Sequence, residues 1–213
     1  MISESAQRQA LRDPDVRLML EVRDGSGAAF ERLVQRFQSR LVMVLEHLVG
    51  NRDLAEDLAQ EVFLRVYRAR QTYVPGAKFS TWLFTIANNL AASALRSKGR
   101  HHEVHLDLQD TGPWKARPLE ALLQASSGQM PARQFDKAEM RDMVHLALKS
   151  LSERQRLAVL LNKFEGMCYA DIAEVMELTP KAVKSLLSRA RMNLRDILQP
   201  YLEHGESPAA ESS

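Results

Sequence analysis

Hydrophobic residues recur every three or four positions along much of the chain, a spacing typical of amphipathic α-helices. In the first half of the sequence they predict helices over about 27–48, 53–70 and 80–97. A turn at Pro75-Gly76 separates the last two. The apolar side of the second predicted helix consists of Leu54, Leu58, Val62, Val66 and Tyr67. Together these stripes predict one compact helical domain.

The pattern breaks between about residues 98 and 134, where three prolines and a polar Ser-Ser-Gly-Gln stretch interrupt it. A connection of that length is unusual inside a compact domain, so it predicts a flexible linker. Helical periodicity returns near Asp136, and Ser152 with Gln155 predicts a capping box for the next helix. The predicted fold class is all-α: two small helical domains, 15–97 and 135–200, joined by the linker 98–134, with a helix-turn-helix in the second.

The stretch from Thr179 to Arg195 combines a helix start with a two-sided pattern. Thr179 can cap the helix, and Pro180 at its first position loses no needed hydrogen bond. Its apolar side carries Val183, Leu186, Leu187, Ala190, Leu194 and Leu198. Its polar side carries Lys181, Lys184, Ser185, Ser188, Arg189, Arg191 and Arg195. After the short helix and turn of YADIAEVMELT, this pattern predicts a helix-turn-helix that reads a DNA major groove. The alternative is the solvated basic face of an ordinary core helix.

Bulk composition narrows the choice of partner and compartment. The formal net charge of the 213 residues is only +2, so affinity for nucleic acid must come from local clusters of cations. A single cysteine, Cys168, excludes an intramolecular disulfide. The longest apolar run, LVMVLEHLV, is too short to span a membrane, and the N-terminus lacks a signal-peptide pattern. We therefore expect a soluble, cytoplasmic protein with no membrane span.

Two blocks of sequence stand in a characteristic order. The first contains DLAEDLAQEVFLRVYRA at 53–69 and KFSTWLFTIANNLAASALR at 78–96, and the second is LSERQRLAVLLNKFEGMCYADIAEVMELTPKAVKSLLSRARMNLR at 151–195. They resemble regions two and four of the extracytoplasmic-function (ECF) sigma factors of bacterial RNA polymerase. In this chain Glu177 stands where a Gly commonly makes the turn, and Cys168 where a capping Ser or Thr is usual.

The resemblance implies a factor that binds core RNA polymerase and directs it to promoter DNA. Docking falls to the second helix, whose expected polymerase-binding residues are Asp57, Gln60, Glu61 and Arg68. The family places this face against the clamp helices of the largest polymerase subunit. The alternative is an ordinary solvated helix face.

Capture of the opened promoter strand falls to the third helix. Its polar arc holds Thr81, Thr85, Asn88 and Asn89, with Phe84 beside it. Amides can bond a base edge and an exposed aromatic ring can stack on an unpaired base. The resemblance places the non-template strand of the minus-ten element on this arc and on the stretch from Arg96 to His102. The alternative for Phe84 and Asn89 is packing against a neighbouring helix.

Duplex reading falls to the last helix, which the resemblance places on the minus-thirty-five element. The expected DNA-binding residues there are Thr179, Lys181, Lys184, Ser185, Ser188, Arg189, Arg191 and Arg195. Lys184 and Ser188 are the best candidates for base edges, and the arginines for phosphates. The family implies a linker that passes near the polymerase active-site cleft and RNA exit path. It also implies an anti-sigma partner, because the chain shows no sensor domain.

Two other functions compete with this interpretation. A stand-alone helix-turn-helix regulator would bind duplex DNA without polymerase, but it has no need of the Asp57, Gln60 and Glu61 face. A metal-dependent enzyme could use the cluster His101, His102, Glu103 and His105, which lacks the helical spacing of a zinc protease. No Ser-His-Asp pattern or Gly-rich phosphate loop is present in the sequence. We expect no catalysis, no cofactor and no metal.

Overall fold

The computed structural model describes residues 12–102 and 137–204, with side chains over 12–96 and 143–199. The described residues contain eight α-helices, one short 3-10 turn, Arg70–Thr72, and no strand, which confirms the all-α class. The helices are α1 (Pro14–Arg23), α2 (Gly27–Val49), α3 (Arg52–Arg68), α4 (Phe79–His102), α5 (Lys137–Ser150), α6 (Glu153–Lys163), α7 (Tyr169–Met176) and α8 (Pro180–His204).

Helices α1 to α4 form the N-terminal bundle, and side-chain caps fix where they begin. Ser26 accepts from the Ala29 N–H at 3.2 Å to start α2, and Asn51 accepts from the Leu54 N–H at 2.7 Å to start α3. Asp13 has two tasks, because one carboxylate oxygen accepts from Asp15 N–H at 2.9 Å and the other from Phe79 N–H at 3.1 Å. It thereby ties the start of α1 to the start of α4. Inside lie Met19, Leu33, Phe37, Leu41, Leu45, Phe79 and Leu83, each at most 1% exposed.

The fourth helix is longer than the sequence predicts. α4 begins at Phe79 and continues to His102, so residues 98–102 belong to a helix and the predicted linker start at 98 is wrong. The physical reason is that this stretch contains no proline, and its one glycine, Gly99, costs a helix only about 1 kcal/mol. The remainder of the predicted linker, 103–134, lies outside the described residues.

Helices α5 to α8 form the C-terminal bundle. The predicted capping box is present: the Gln155 N–H donates to Ser152 Oγ at 3.4 Å, and Gln155 Oε1 accepts from the Ser152 N–H at 3.2 Å. The helix-turn-helix consists of α7 and α8, and the long helix packs on α6 and α7. The buried residues of α8 belong to the same core as Leu160, Leu161 and Ile172, which are fully buried.

The two bundles pack directly on each other, which the sequence did not predict. α2 lies against α6, and α4 lies against α7, so that one continuous apolar core runs through both bundles. Polar contacts cross the boundary as well. Arg40 pairs with Glu165, whose side chain is fully buried, and Lys78 Nζ lies 2.9 Å from the Asp171 carboxylate. The described residues therefore form two helical regions in one closed arrangement.

Candidate nucleic-acid and protein interfaces

The last helix presents its polar side to solvent, as the two-sided pattern predicts. Thr179 Oγ1 accepts from the Ala182 N–H at 3.2 Å and caps α8. Val183, Leu187 and Ala190 are at most 1% exposed and anchor the helix to the bundle. The residues on its opposite side are all exposed: Lys181, Lys184, Ser185, Ser188, Arg189, Arg191 and Arg195. A helix anchored on one side and cationic on the other suits entry into a DNA groove.

A tyrosine that sequence reasoning missed belongs to this basic surface. Tyr169 is the first residue of α7, and its hydroxyl oxygen accepts from Arg191 Nη2 at 3.3 Å. That hydrogen bond, with the nearby charges of Arg191, Lys184 and Lys163, lowers the pKa of Tyr169. Its position in the sequence could have revealed it, because the first turn of the first helix in a helix-turn-helix lies beside the basic second helix. Lys163, exposed at the end of α6, extends the same surface.

The turn between α7 and α8 is made without glycine. Glu177 adopts φ 54° and ψ 45°, the left-handed conformation, and the Leu178 N–H donates to the Ala173 carbonyl at 2.9 Å. A non-glycine residue there costs about 1–2 kcal/mol. At the other end of α7, the Asp171 carboxylate accepts from the Cys168 N–H at 3.2 Å, which is the carboxylate half of a capping box and holds the start of the helix. The turn is thus made by the left-handed backbone of Glu177 rather than by a glycine.

The polar face of α3 is open, and an apolar residue lies within it. Asp57, Gln60 and Arg68 are exposed, and Glu61 is half-exposed, where its carboxylate accepts from Arg65 Nε at 2.8 Å. That hydrogen bond lowers the pKa of Glu61. Leu64, at 49% exposed, falls on the same side by its helical spacing, so it completes a strip of mixed polarity. Sequence reasoning missed Leu64, although it lies off the apolar stripe of the helix.

A groove of about 890 Å³ runs beside this face, between α2 and α3. Gln60 and Leu64 lie on one of its walls, and Phe30 and Val34 lie on the other. Tyr67, predicted to belong to the buried side of α3, is 41% exposed at the groove. Its ring lies 5.1 Å from that of Phe30 and beneath the Arg70 guanidinium, 4.0 Å from the ring centre, at the edge of the bundle.

The polar arc of α4 does not have the exposure that the sequence predicts. Phe84 is 1% exposed and Thr81 is fully buried, so the prediction of an exposed stacking ring is wrong for this structure. The reason is that α4 lies between α2 and α3 on one side and α7 on the other, which buries more than one arc. Asn88 is half-buried, and its Nδ2 donates to the Val175 carbonyl at 3.3 Å. Asn89 and Arg96 are exposed.

The side chains of the candidate metal cluster at 101–105 lie outside the described residues. His101 and His102 are the last residues of α4, and their side chains lie outside the described part, as do Glu103 and His105 altogether. Among residues 12–102 and 137–204, no group of three or more potential ligands comes together. In the same ranges, no helix is both long and apolar enough to cross a bilayer.

The two bundles correspond to two described regions of one protein family. Residues 33–101 match the family model Sigma-70 region 2, and residues 141–194 match Sigma-70, region 4. The chain is 32% identical over 190 residues to the RNA polymerase sigma-H factor of Pseudomonas aeruginosa, covering 89% of this chain and 96% of that protein. It is 30% identical over 188 residues to the ECF RNA polymerase sigma-E factor of Escherichia coli K12, covering 87% and 94%. The chain belongs to the ECF sigma factor family.

Solved structures agree with this assignment. The sigma factor RpoE of Bartonella quintana, determined in complex with the anti-sigma factor NepR, superposes with a TM-score of 0.60 at 25% identity. The superposition covers 80% of this chain and 96% of that chain. This ECF sigma factor is therefore a transcription factor that directs promoter-specific transcription initiation by RNA polymerase. The match to region 2 disfavours the stand-alone regulator, because such a regulator has no use for a polymerase-binding region.

Proposed function

We propose that the exposed strip of α3, formed by Asp57, Gln60, Glu61, Leu64 and Arg68, binds the clamp helices of the largest core polymerase subunit. The observation that carries this assignment is Leu64, a half-exposed leucine set among charged and amide side chains. Leu64 lies beside Phe30, Val34 and Tyr67 at the groove, and a contiguous apolar patch with a polar rim is the composition of a protein interface rather than of a plain solvated face. Arg65 holds Glu61 in place by the pair at 2.8 Å, which pre-organises one charge of the strip.

A charge-reversal variant tests this docking surface. Gln60→Ala combined with Glu61→Lys should weaken capture of core polymerase while leaving helicity by circular dichroism unchanged, since both positions are on the surface. Asp24→Lys, an exposed charge reversal at the end of α1, is the matched control and should bind core normally. Equal binding of core by the double variant and by wild type would remove α3 from the interface.

We assign promoter reading to two helices. Lys184 and Ser188 on α8 contact base edges of the minus-thirty-five element, whereas Arg189, Arg191 and Arg195 contact phosphates together with Tyr169 and Lys163. Support comes from their common exposure and from the absence of acidic residues between 181 and 195. Phosphate contacts fix the position of the helix, and base edges supply the selectivity. Thr179 serves mainly as the cap.

For the minus-ten element, we propose that Asn89 and Arg96 make the first contacts with the non-template strand. Both are exposed on α4. Asn88 joins them once it leaves the Val175 carbonyl, and Phe84 acts by packing rather than by stacking on a base. The predicted course of residues 103–134 through the polymerase stays a prediction.

We further propose that the factor works in the cytoplasm, performs no catalysis of its own and is held inactive by an anti-sigma partner. The solved RpoE relative was captured with such a partner, NepR. Purification of the tagged protein from its host, before and after the inducing stress is applied, should recover a small regulatory protein in the first state and polymerase in the second. Recovery of polymerase alone under every condition would point to another mode of control.

A further inference from the structure

His47 lies at the junction between the two bundles. It occupies the last turn of α2, is half-buried, and has its ring centre 5.4 Å from that of His145 on α5. The Arg156 guanidinium of α6 donates to the His47 carbonyl at 2.8 Å. The same guanidinium donates to the carbonyls of Leu148, Lys149 and Leu151 at 2.9–3.1 Å. One cation therefore joins the carboxyl-terminal ends of helices from both bundles, where helix dipoles favour positive charge.

The surroundings of His47 disfavour a second positive charge. Facing it are His145 and Lys149 from α5 and Arg156 from α6, and the neighbouring cleft beside Leu48 is lined by Glu153 and Arg154. Burial, together with His145, Arg156 and Lys149, lowers the pKa of His47 to about 4. All three of these neighbours belong to the C-terminal bundle. Separation of the bundles would hydrate the imidazole and return its pKa to the ordinary value near 6.5.

We propose that the two bundles close on each other in the free protein and that protonation of His47 favours their separation. Closure also occupies Asn88, which bonds to Val175 across the boundary, and seats Arg40 on the buried Glu165. We call this contact between the bundles, in which α2 packs on α6 and α4 packs on α7, the latch.

Separation matters for promoter binding, and this step rests on the proposed function. The minus-ten and minus-thirty-five elements lie about 25 base pairs apart, or about 85 Å at 3.4 Å per pair. A compact chain of 213 residues is only about 45 Å across. The closed form therefore cannot reach both elements. The chain between His102 and Lys137 can span on the order of 100 Å when extended, which is enough for the open form.

The sign of the pH dependence follows from the lowered pKa of His47. The closed form keeps the imidazole neutral, so its stabilisation by this group is complete above about pH 6.5 and is lost as pH falls toward 4. Between about pH 7.5 and about pH 5.5, the His47 contribution to the closed-to-open ratio should fall about tenfold. Glu165 acts in the opposite sense, because burial raises its pKa and acid then favours closure. A His47 variant that retains Glu165 separates the two contributions.

Distance measurements on the full chain, with neither DNA nor polymerase present, test the latch independently of the proposed function. Spin labels are attached to cysteines introduced by Gln35→Cys on α2 and Met192→Cys on α8, both exposed positions. Cys168→Ser removes the native cysteine, so that only these two positions are labelled. Pulsed electron–electron double resonance then measures the distance between the two labels, and the distance distribution gives the fraction of closed molecules at each pH. His47→Phe keeps the backbone carbonyl that Arg156 binds but cannot be protonated. Arg40→Ala, which strands the buried Glu165, gives the open reference at about pH 7.5.

We expect one closed distance for the wild type at about pH 7.5. On acidification to about pH 5.5, its closed-to-open ratio should fall about tenfold relative to that of His47→Phe. Identical pH responses of the two proteins, or an open wild type at neutral pH, would overturn the proposal. Circular dichroism checks the fold of each variant. His47→Gln replaces His47→Phe if the phenylalanine variant unfolds, and the same criterion then applies. Asp53→Asn, which removes an exposed titratable group in the first turn of α3, should behave as wild type.

Discussion

Both α8 and α4 carry a polar side in the sequence, but the two sides differ in their exposure in the structure. α8 is packed from one side, by α5, α6 and α7, so its opposite side stays exposed over its described length. α4 is packed from two sides, by the N-terminal bundle and by α7, so residues on its polar arc are divided between core, boundary and surface. Helical periodicity reports which residues share a side, but not how many neighbours the helix has. Exposure must therefore be argued from the partners of each helix.

The largest test of this comparison concerns Phe84. Because its ring is 1% exposed, Phe84→Ala should lower the free energy of unfolding by about 3–5 kcal/mol. Asn89→Ala, on the exposed part of the same helix, should change it by less than about 0.5 kcal/mol. Urea unfolding followed by circular dichroism measures both values. A loss below about 1 kcal/mol for Phe84→Ala would mean that the ring is free to stack on a base after all.

The next effect concerns the two kinds of contact proposed on α8. Lys184→Ala should cost about 1–3 kcal/mol at the cognate minus-thirty-five site and should relax the preference for that site, because a base-edge contact is lost. Arg191→Ala should weaken binding to all sequences alike and reduce the salt slope by about one phosphate contact. Fluorescence anisotropy with cognate and scrambled duplexes over a salt series separates the two. Equal losses on both duplexes for Lys184→Ala would make Lys184 a phosphate contact only.

The smallest effect concerns the turn that aims α8. Glu177 has a positive φ of 54°, so Glu177→Gly relieves a strained backbone and should raise stability by up to about 1 kcal/mol. Glu174→Gly, inside α7, should lower it by about 1 kcal/mol, since glycine weakens a helix interior. Thermal unfolding of both variants provides the comparison. A loss of stability for Glu177→Gly would show that the glutamate side chain contributes more than its backbone costs.

Most of the fold could be predicted from the sequence, because local signals determine it. The Ser152–Gln155 capping box, the Thr179-Pro180 helix start and the stripe of Val183 and Leu187 all act within a few residues and all appear in the structure. The two-block order was sufficient to predict the family, which the comparisons confirm. The end of α4 was misplaced because a single glycine is a weak stop signal.

The site was only partly predictable, because its missing features depend on contacts distant in sequence. Tyr67 lies on the apolar side of α3 by its spacing, yet it is 41% exposed at the groove edge, where Phe30 of α2 covers its ring only in part. Phe84 and Asn88 are covered because α7 approaches α4 from residues more than eighty positions away. The pairing of Arg40 with Glu165 and the His47–His145 junction have the same origin. No periodicity within a single helix encodes such contacts.

The central claim is that this ECF sigma factor selects promoters for RNA polymerase. Its most direct test is run-off transcription with purified core polymerase on a pool of genomic promoters. The account predicts discrete transcripts with defined start sites when core and the protein are combined, and their loss when Gln60→Ala/Glu61→Lys replaces the wild type. Asp24→Lys should retain them. Transcripts indistinguishable from those of core polymerase alone, with folded wild-type protein in excess, would contradict the claim.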